Sequence, residues 1–199
     1  PMAFSPDGRT LFAGEGAIWR STNGGQAWTA ISPALASPSS RISALALSPI
    51  DPRVVWAGLD DGRGFVTRDG GAEWFERRHP AGADAIIRSI ELSRFDPQSA
   101  YVVAVPGNGG ATSPTLARTR DSGTTWVDLG PRLGDRGRVH AIREDPLRRG
   151  LLFAGTDRSV VVSFDDGESW QSLALNLPAT PVRDVVVKDA DLVVATAGR

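Results

Sequence analysis

Short apolar runs recur along this chain, separated by Pro, Asp and Gly. In the second repeat the runs cover residues 42–47, 54–58 and 64–67, and the pair Asp51-Pro52 separates the first two. Runs of β-branched, aromatic and small apolar residues bounded in this way predict short β-strands. No window of helical length keeps an apolar period of about 3.6 residues, so the pattern predicts an all-β fold.

A turn motif with the pattern Ser/Thr-x-Asp/Asn-x-Gly-x-x-Trp follows the third run of each repeat. Its four copies align without gaps and start at residues 21, 67, 119 and 163, which gives spacings of 46, 52 and 44 residues. Periods near 45 residues are typical of four-stranded propeller blades. The motif residues are Ser21, Asn23, Gly25 and Trp28; Thr67, Asp69, Gly71 and Trp74; Thr119, Asp121, Gly123 and Trp126; and Ser163, Asp165, Gly167 and Trp170.

The repeats predict a β-propeller of four-stranded antiparallel blades, with strands A to D in each blade. Strands A and B of a fifth blade follow the fourth motif. Four blades and half of one would leave sheet edges open, so we expect a single propeller segment, a fragment whose remaining blades belong to a longer chain. The expected blades cover about residues 1–32, 41–78, 86–129, 138–173 and, in part, 181–197.

The motif itself predicts a local structural role. An Asp or Asn oxygen accepts hydrogen bonds from the backbone of the turn, Gly permits positive φ, and Trp packs over the hairpin. Catalysis or Ca²⁺ binding by Asp69, Asp121 and Asp165 is the alternative. We prefer the structural interpretation, because a single active site needs only one copy of each residue.

Composition narrows the function classes. The 199 residues carry a formal net charge of −1, which argues against binding nucleic acid through bulk charge. The absence of Cys excludes disulfides, thiol nucleophiles and cysteine metal sites, and two His residues exclude a three-His site. The apolar runs are too short for a membrane span. We predict no metal and no cofactor.

One face of the predicted propeller gathers the charged residues. Ser43 and three charged or titratable residues occupy one equivalent position in strand A, and acidic residues occupy the B–C loops. These residues are either solvated charges paired with one another or a site for an anionic or polyhydroxyl ligand. The ligand candidates are Arg88, His140, Arg183 and Asn108, and the candidates for catalysis, which stays open, are Asp60, Asp157 and His140. We expect His79, beside Pro80, at the surface.

The four motifs resemble the Asp-box of the BNR-repeat propellers, a sialidase-like superfamily. The stretch from residue 181 to 199 is most similar to sortilin (Vps10)-like bacterial propellers labelled glycosyl hydrolases, although Ala197 replaces the His common there. Sialidases use a Tyr nucleophile, whereas the sole Tyr101 aligns with apolar core positions. The loops at Asp60 and Asp157 only partly resemble the catalytic loops of xyloglucanase-like hydrolases.

The resemblance implies a ligand- or protein-binding scaffold in a sortilin-like or glycosyl-hydrolase-like parent. The expected ligand is a carbohydrate or an acidic peptide, and the favoured location is extracytoplasmic. A glycoside hydrolase that uses loop carboxylates is the alternative, although this fragment is not obviously competent as an enzyme. Photosystem assembly factors with similar repeats are non-catalytic members of the superfamily.

Overall fold

A computed structural model describes residues 1–107, 115–173, 179–188 and 191–197. The described residues form four four-stranded antiparallel sheets and one two-stranded sheet, which confirms the all-β prediction and its four-stranded blades. A short 3₁₀ segment, Gly130–Arg136, follows the third sheet. The strands are β1 Met2–Phe4, β2 Leu11–Gly14, β3 Ile18–Ser21, β4 Thr29–Ala30, β5 Ile42–Leu47, β6 Val55–Leu59, β7 Arg63–Thr67, β8 Phe75–Arg78, β9 Ala85–Leu92, β10 Ala100–Pro106, β11 Thr115–Thr119, β12 Val127–Asp128, β13 Val139–Glu144, β14 Leu152–Thr156, β15 Val160–Ser163, β16 Gln171–Ser172, β17 Val182–Lys188 and β18 Asp191–Thr196.

Each sheet is a meander in which consecutive strands pair antiparallel. The first strands of successive sheets, β1, β5, β9, β13 and β17, lie next to one another. Each sheet is therefore a blade, and its first strand is the inner strand. The structure arranges the inner strands as a common wall.

The core lies between the blades. Phe12, Ile42 and Phe65 belong to one buried cluster between the first and second blades. Val160 and Val185 belong to another between the fourth blade and the two-stranded fifth sheet. Burial of apolar surface between neighbouring sheets stabilises the assembly, at about 25 cal/mol per Å².

The four motif copies form turns with one hydrogen-bond pattern, and we call them the motif turns. In the second, the Thr67 hydroxyl donates to Asp69 at 2.7 Å and accepts from the Gly71 N–H at 2.9 Å. Asp69 accepts from the Glu73 N–H at 3.1 Å. The same three contacts recur at Ser21, Asn23, Gly25 and Ala27; at Thr119, Asp121, Gly123 and Thr125; and at Ser163, Asp165, Gly167 and Ser169.

The motif turns also join each blade to the preceding one. The Trp74 indole N–H donates to the Ile31 carbonyl of the first blade at 2.8 Å. Trp126 packs edge-to-face on Trp56 of the second blade, with ring centroids 6.1 Å apart. Trp28, in the first blade, is 36% exposed and donates to its own turn. The Trp therefore covers its own hairpin in the first blade, whereas Trp74 and Trp126 pack between blades.

Candidate functional site

A β-bulge occurs at one equivalent position in four inner strands. In β9, Ile87 pairs with Ala104 and Ser89 with Val103, so Arg88 is the extra, unpaired residue. A bulge breaks the alternation of a strand and redirects the side chain at that point. The residues at the four bulges are Ser43, Arg88, His140 and Arg183.

Packing between blades fixes where the bulge in β9 forms. Ile87, just before the bulge, packs closely onto Gly58 of the preceding blade. A Cβ atom on residue 58 would lie 2.3 Å from Ile87 Cγ2. The Ser43 hydroxyl of that blade donates to the Ile87 carbonyl at 2.7 Å. The small residues Ala57 and Gly58 of β6 therefore leave space for β9 to approach and to form its bulge.

The bulge residues line one open groove of about 420 Å³ along the inner wall. Arg88 and Arg183 are exposed there, and His140 is 9% exposed. In the described part of the chain, the Arg88 side chain makes no hydrogen bond or ion pair, so its guanidinium is free to bind a ligand. The structure thus brings Arg88, His140 and Arg183 to one place, whereas Asn108 lies outside the described residues.

His140 connects an acid of one loop to the Arg of the next blade. Its Nε2 lies 2.6 Å from Asp157 Oδ1, and Arg183 Nη1 lies 3.0 Å from its Nε2 and 3.3 Å from its Nδ1. Because a carboxylate only accepts, Nε2 carries the proton that it donates to Asp157. In the neutral ring, Nδ1 is then the nitrogen that accepts from Arg183. His140 therefore positions the Arg183 side chain at the groove.

Asp157 and Asp60 hold equivalent loops in their blades. Asp60 Oδ1 accepts from the Arg41 N–H at 2.7 Å, and Asp157 Oδ2 accepts from the Arg138 N–H at 3.4 Å. Burial raises the pKa of Asp157, but its hydrogen-bonding and charge interactions with His140, followed by those with Arg138, lower it below its ordinary value. Neither carboxylate is among the residues that line the groove, although Asp157 reaches it through His140.

Glu91 is a titratable residue of the inner wall that the sequence reasoning missed. It lines a neighbouring groove of about 430 Å³ together with Arg88, Arg94 and Arg143. Burial raises the pKa of Glu91 to about 7. Its Oε2 lies 3.9 Å from Arg143. A carboxylate between the apolar residues Ile90 and Leu92 of an inner strand was the signal that could have found it.

Two further titratable residues are buried between blades. The Tyr101 hydroxyl donates to Asp166 of the fourth blade, and the side chain is 3% exposed. His79 is also 3% exposed and packs on the Trp126 ring, so the prediction of a surface position was wrong. Burial lowers the pKa of His79 to about 4. The error arose because Trp126 comes from the next blade, 47 residues away in the chain.

Metal ligation and membrane crossing find no support within the described ranges. No group of three or more His, Asp or Glu side chains there could hold a metal ion. No described helix is long and apolar enough to cross a membrane.

Comparison with known proteins shows the fold. The sequence matches no protein-family model and no curated protein. The GH74 xyloglucanase from Xanthomonas campestris superposes with a TM-score of 0.68 at 17% identity, over 92% of this chain and 31% of that one. The Niastella koreensis GH74 enzyme gives 0.64 at 20%, over 86% and 28%. A structure of YCF48 bound to D1 peptide gives 0.54 at 22%, over 72% and 43%.

These neighbours are β-propellers, which confirms the predicted fold class. The chain spans less than half the length of the YCF48 chain and under a third of these two GH74 chains. The described residues therefore have β-propeller architecture.

Proposed function

We propose that this propeller segment binds an acidic polypeptide in the groove formed by the bulge residues. The observation that carries the proposal is the convergence of Arg88, His140 and Arg183 from three blades on one groove, with the Arg88 guanidinium unpaired among the described residues. Arg presents paired N–H donors in a geometry that fits a carboxylate.

Both the shape of the groove and the neighbours favour a peptide. The groove runs along the inner wall past the inner strands of four blades, so it has the form to take an extended chain. One of the neighbouring structures is described as YCF48 bound to D1 peptide. A sugar is the second ligand class, because Arg and carboxylate groups also bind hydroxyls.

We further propose that the chain belongs with the Asp-box propellers of the BNR type and that its parent is sortilin-like. The hydrogen-bond pattern shared by all four motif turns supports the first assignment. The second rests on the resemblance of the C-terminal stretch.

A direct binding measurement tests the acidic-peptide proposal. The probe is a fluorescent, extended Glu-rich peptide, with a Gln-rich peptide of the same length as its control. We expect Arg88→Gln to weaken binding of the Glu-rich peptide at least fivefold, because one charge-assisted contact is lost. Arg149→Gln is the matched control, since Arg149 is exposed in the turn between β13 and β14. Equal binding of the two peptides, or equal affinity of the two variants, would refute the proposal.

A glycoside hydrolase is the second candidate function. The GH74 neighbours favour it, as does the position of Asp157 beside the groove. Inverting hydrolysis requires a protonated acid and a separate base. The environment of Asp157 favours its ionised form, which suits the base and not the acid. The test is the release of reducing ends from xyloglucan, compared with the Asp157→Asn variant. Activity that this variant loses would establish the hydrolase.

A further inference from the structure

A second groove, of about 360 Å³, lies between the first and second blades and is separate from the groove with Arg88. Its apolar wall includes Phe12, Leu47 and Ile50, and Ile50 is 48% exposed. Arg20 of β3 forms part of the same wall. We call it the Arg20 groove.

The repeats show what occupies this place between two other blades. Arg118 is the equivalent of Arg20, one residue before the motif turn. It donates to Asp166 at 2.8 Å and to Glu168 at 3.3 Å, both in the following motif turn. Tyr101 of the neighbouring strand also donates to Asp166. Between the third and fourth blades, the chain therefore neutralises its own Arg.

The first and second blades lack each of these partners. Gly70 replaces Asp166, Ala72 replaces Glu168, and Phe12 replaces Tyr101. The Arg20 side chain is exposed and, in the part of the chain that the structure describes, makes no hydrogen bond or ion pair. Arg20 is therefore an uncompensated cation at the equivalent place, and it lines the groove.

One acidic residue also lines the groove, but it is engaged locally. Asp7 Oδ1 accepts from the Arg9 N–H at 3.1 Å and from the Ser5 hydroxyl within its own turn. It lies at the rim of the groove and forms no ion pair with Arg20.

We propose that the Arg20 groove binds an acidic turn of a partner polypeptide, which supplies to Arg20 the carboxylate that Asp166 supplies to Arg118. The apolar wall takes a hydrophobic side chain next to that carboxylate. The chain's own motif turn is the template for the occupant, because it presents carboxylates to an Arg at the equivalent position. The proposal is independent of the groove with Arg88, which lies on the inner wall.

The probe is a cyclised, fluorescent peptide with the sequence of residues 163–169, and its control carries Asn and Gln in place of Asp166 and Glu168. We expect the acidic peptide to bind at least tenfold more tightly than its control. All measurements are made in the Arg88→Gln background, so that the groove with Arg88 does not contribute. There, adding Arg20→Gln removes this preference, whereas adding Arg149→Gln, at an exposed residue outside both grooves, leaves it unchanged. Equal binding of both peptides, equal binding with and without Arg20→Gln, or no binding at millimolar peptide would overturn the proposal.

A second pair of variants supplies the missing acidic partner of Arg20 from the chain itself. Gly70 has φ +79° with open space where a Cβ would lie, and Asp166 occupies the equivalent position with φ 63°. Gly70→Asp supplies the missing carboxylate and lowers peptide affinity at least tenfold, whereas Gly70→Asn, of the same size, stays within twofold of wild type. Equal loss in both variants contradicts the proposal. A concentration-dependent dimer that Arg20→Gln abolishes would assign the groove to a second copy of the chain instead.

Discussion

The motif turns and the bulges both recur from blade to blade, but they recur in different ways. At the motif turns the side chains are nearly constant, and so are their hydrogen bonds. At the bulges the backbone is constant, whereas the side chain changes between Ser43, Arg88, His140 and Arg183. A constant side chain at a constant turn maintains the fold. A variable side chain on a constant backbone gives each blade its own chemistry.

The largest effect should follow from a change at a motif turn. Gly71 has φ +107°, and a Cβ there would lie 2.3 Å from the Ile31 carbonyl oxygen of the preceding blade. We expect Gly71→Ala to lower the free energy of unfolding by about 3 kcal/mol, because backbone strain and a steric clash combine. Urea denaturation measures it.

Gly70→Ala is the matched control for this prediction. The neighbouring Gly70 also has positive φ, but open space surrounds it. Its substitution should cost about 1 kcal/mol from backbone strain alone. Equal losses in the two variants would show that the contact between blades contributes nothing.

The fold could be predicted because its signals are local in sequence. Apolar runs, Asp-Pro breaks and four copies of one motif lie within single repeats, and each repeat forms one sheet. The contacts between blades could not be predicted in this way. Trp74 reaches the Ile31 carbonyl and Trp126 covers His79, and neither partner can be identified from the repeat that contains the Trp.

Two buried groups should give opposite pH dependences, one in each region. His79 packs against the Trp of a motif turn, and burial lowers its pKa from 6.5 to about 4. Its contribution to stability is therefore present above pH 6.5 and is lost as the pH falls towards 4. Glu91 lies on the inner strand with Arg88, and its pKa rises from 4.5 to about 7. Its folded form holds the proton more tightly, so its contribution falls as the pH rises from 4.5 to 7.

Single variants separate these two contributions. We expect Glu91→Gln to be more stable than wild type by about 2 kcal/mol at pH 8, and the difference to vanish near pH 4. Wild type should lose a similar amount of stability as the pH falls from 6.5 to 4, and the His79→Leu variant should not show this loss. Thermal denaturation at a series of pH values provides the test. A Glu91→Gln curve parallel to the wild-type curve would contradict the assignment.

The candidate site was only partly accessible from sequence. Alignment of the repeats brings Arg88, His140 and Arg183 to one position, but it does not reveal why that position faces the groove. The reason is the bulge, which depends on pairing between strands and on the approach of Ile87 to Gly58. The groove beside Arg20 was missed because it lies between two blades and because the acidic partners of Arg118 come from the following repeat.

The smallest effect on stability should come from the bulge residues themselves. Arg88 is exposed and has no partner among the described residues, so Arg88→Gln should change the free energy of unfolding by less than about 0.5 kcal/mol. His140→Gln should cost more, about 1 kcal/mol, since it breaks the contacts of His140 with Asp157 and with Arg183. Urea denaturation beside the peptide-binding measurement distinguishes the two roles. If Arg88→Gln destabilised the protein as much as Gly71→Ala, the bulge residues would belong to the fold, and the contrast with the motif turns would be lost.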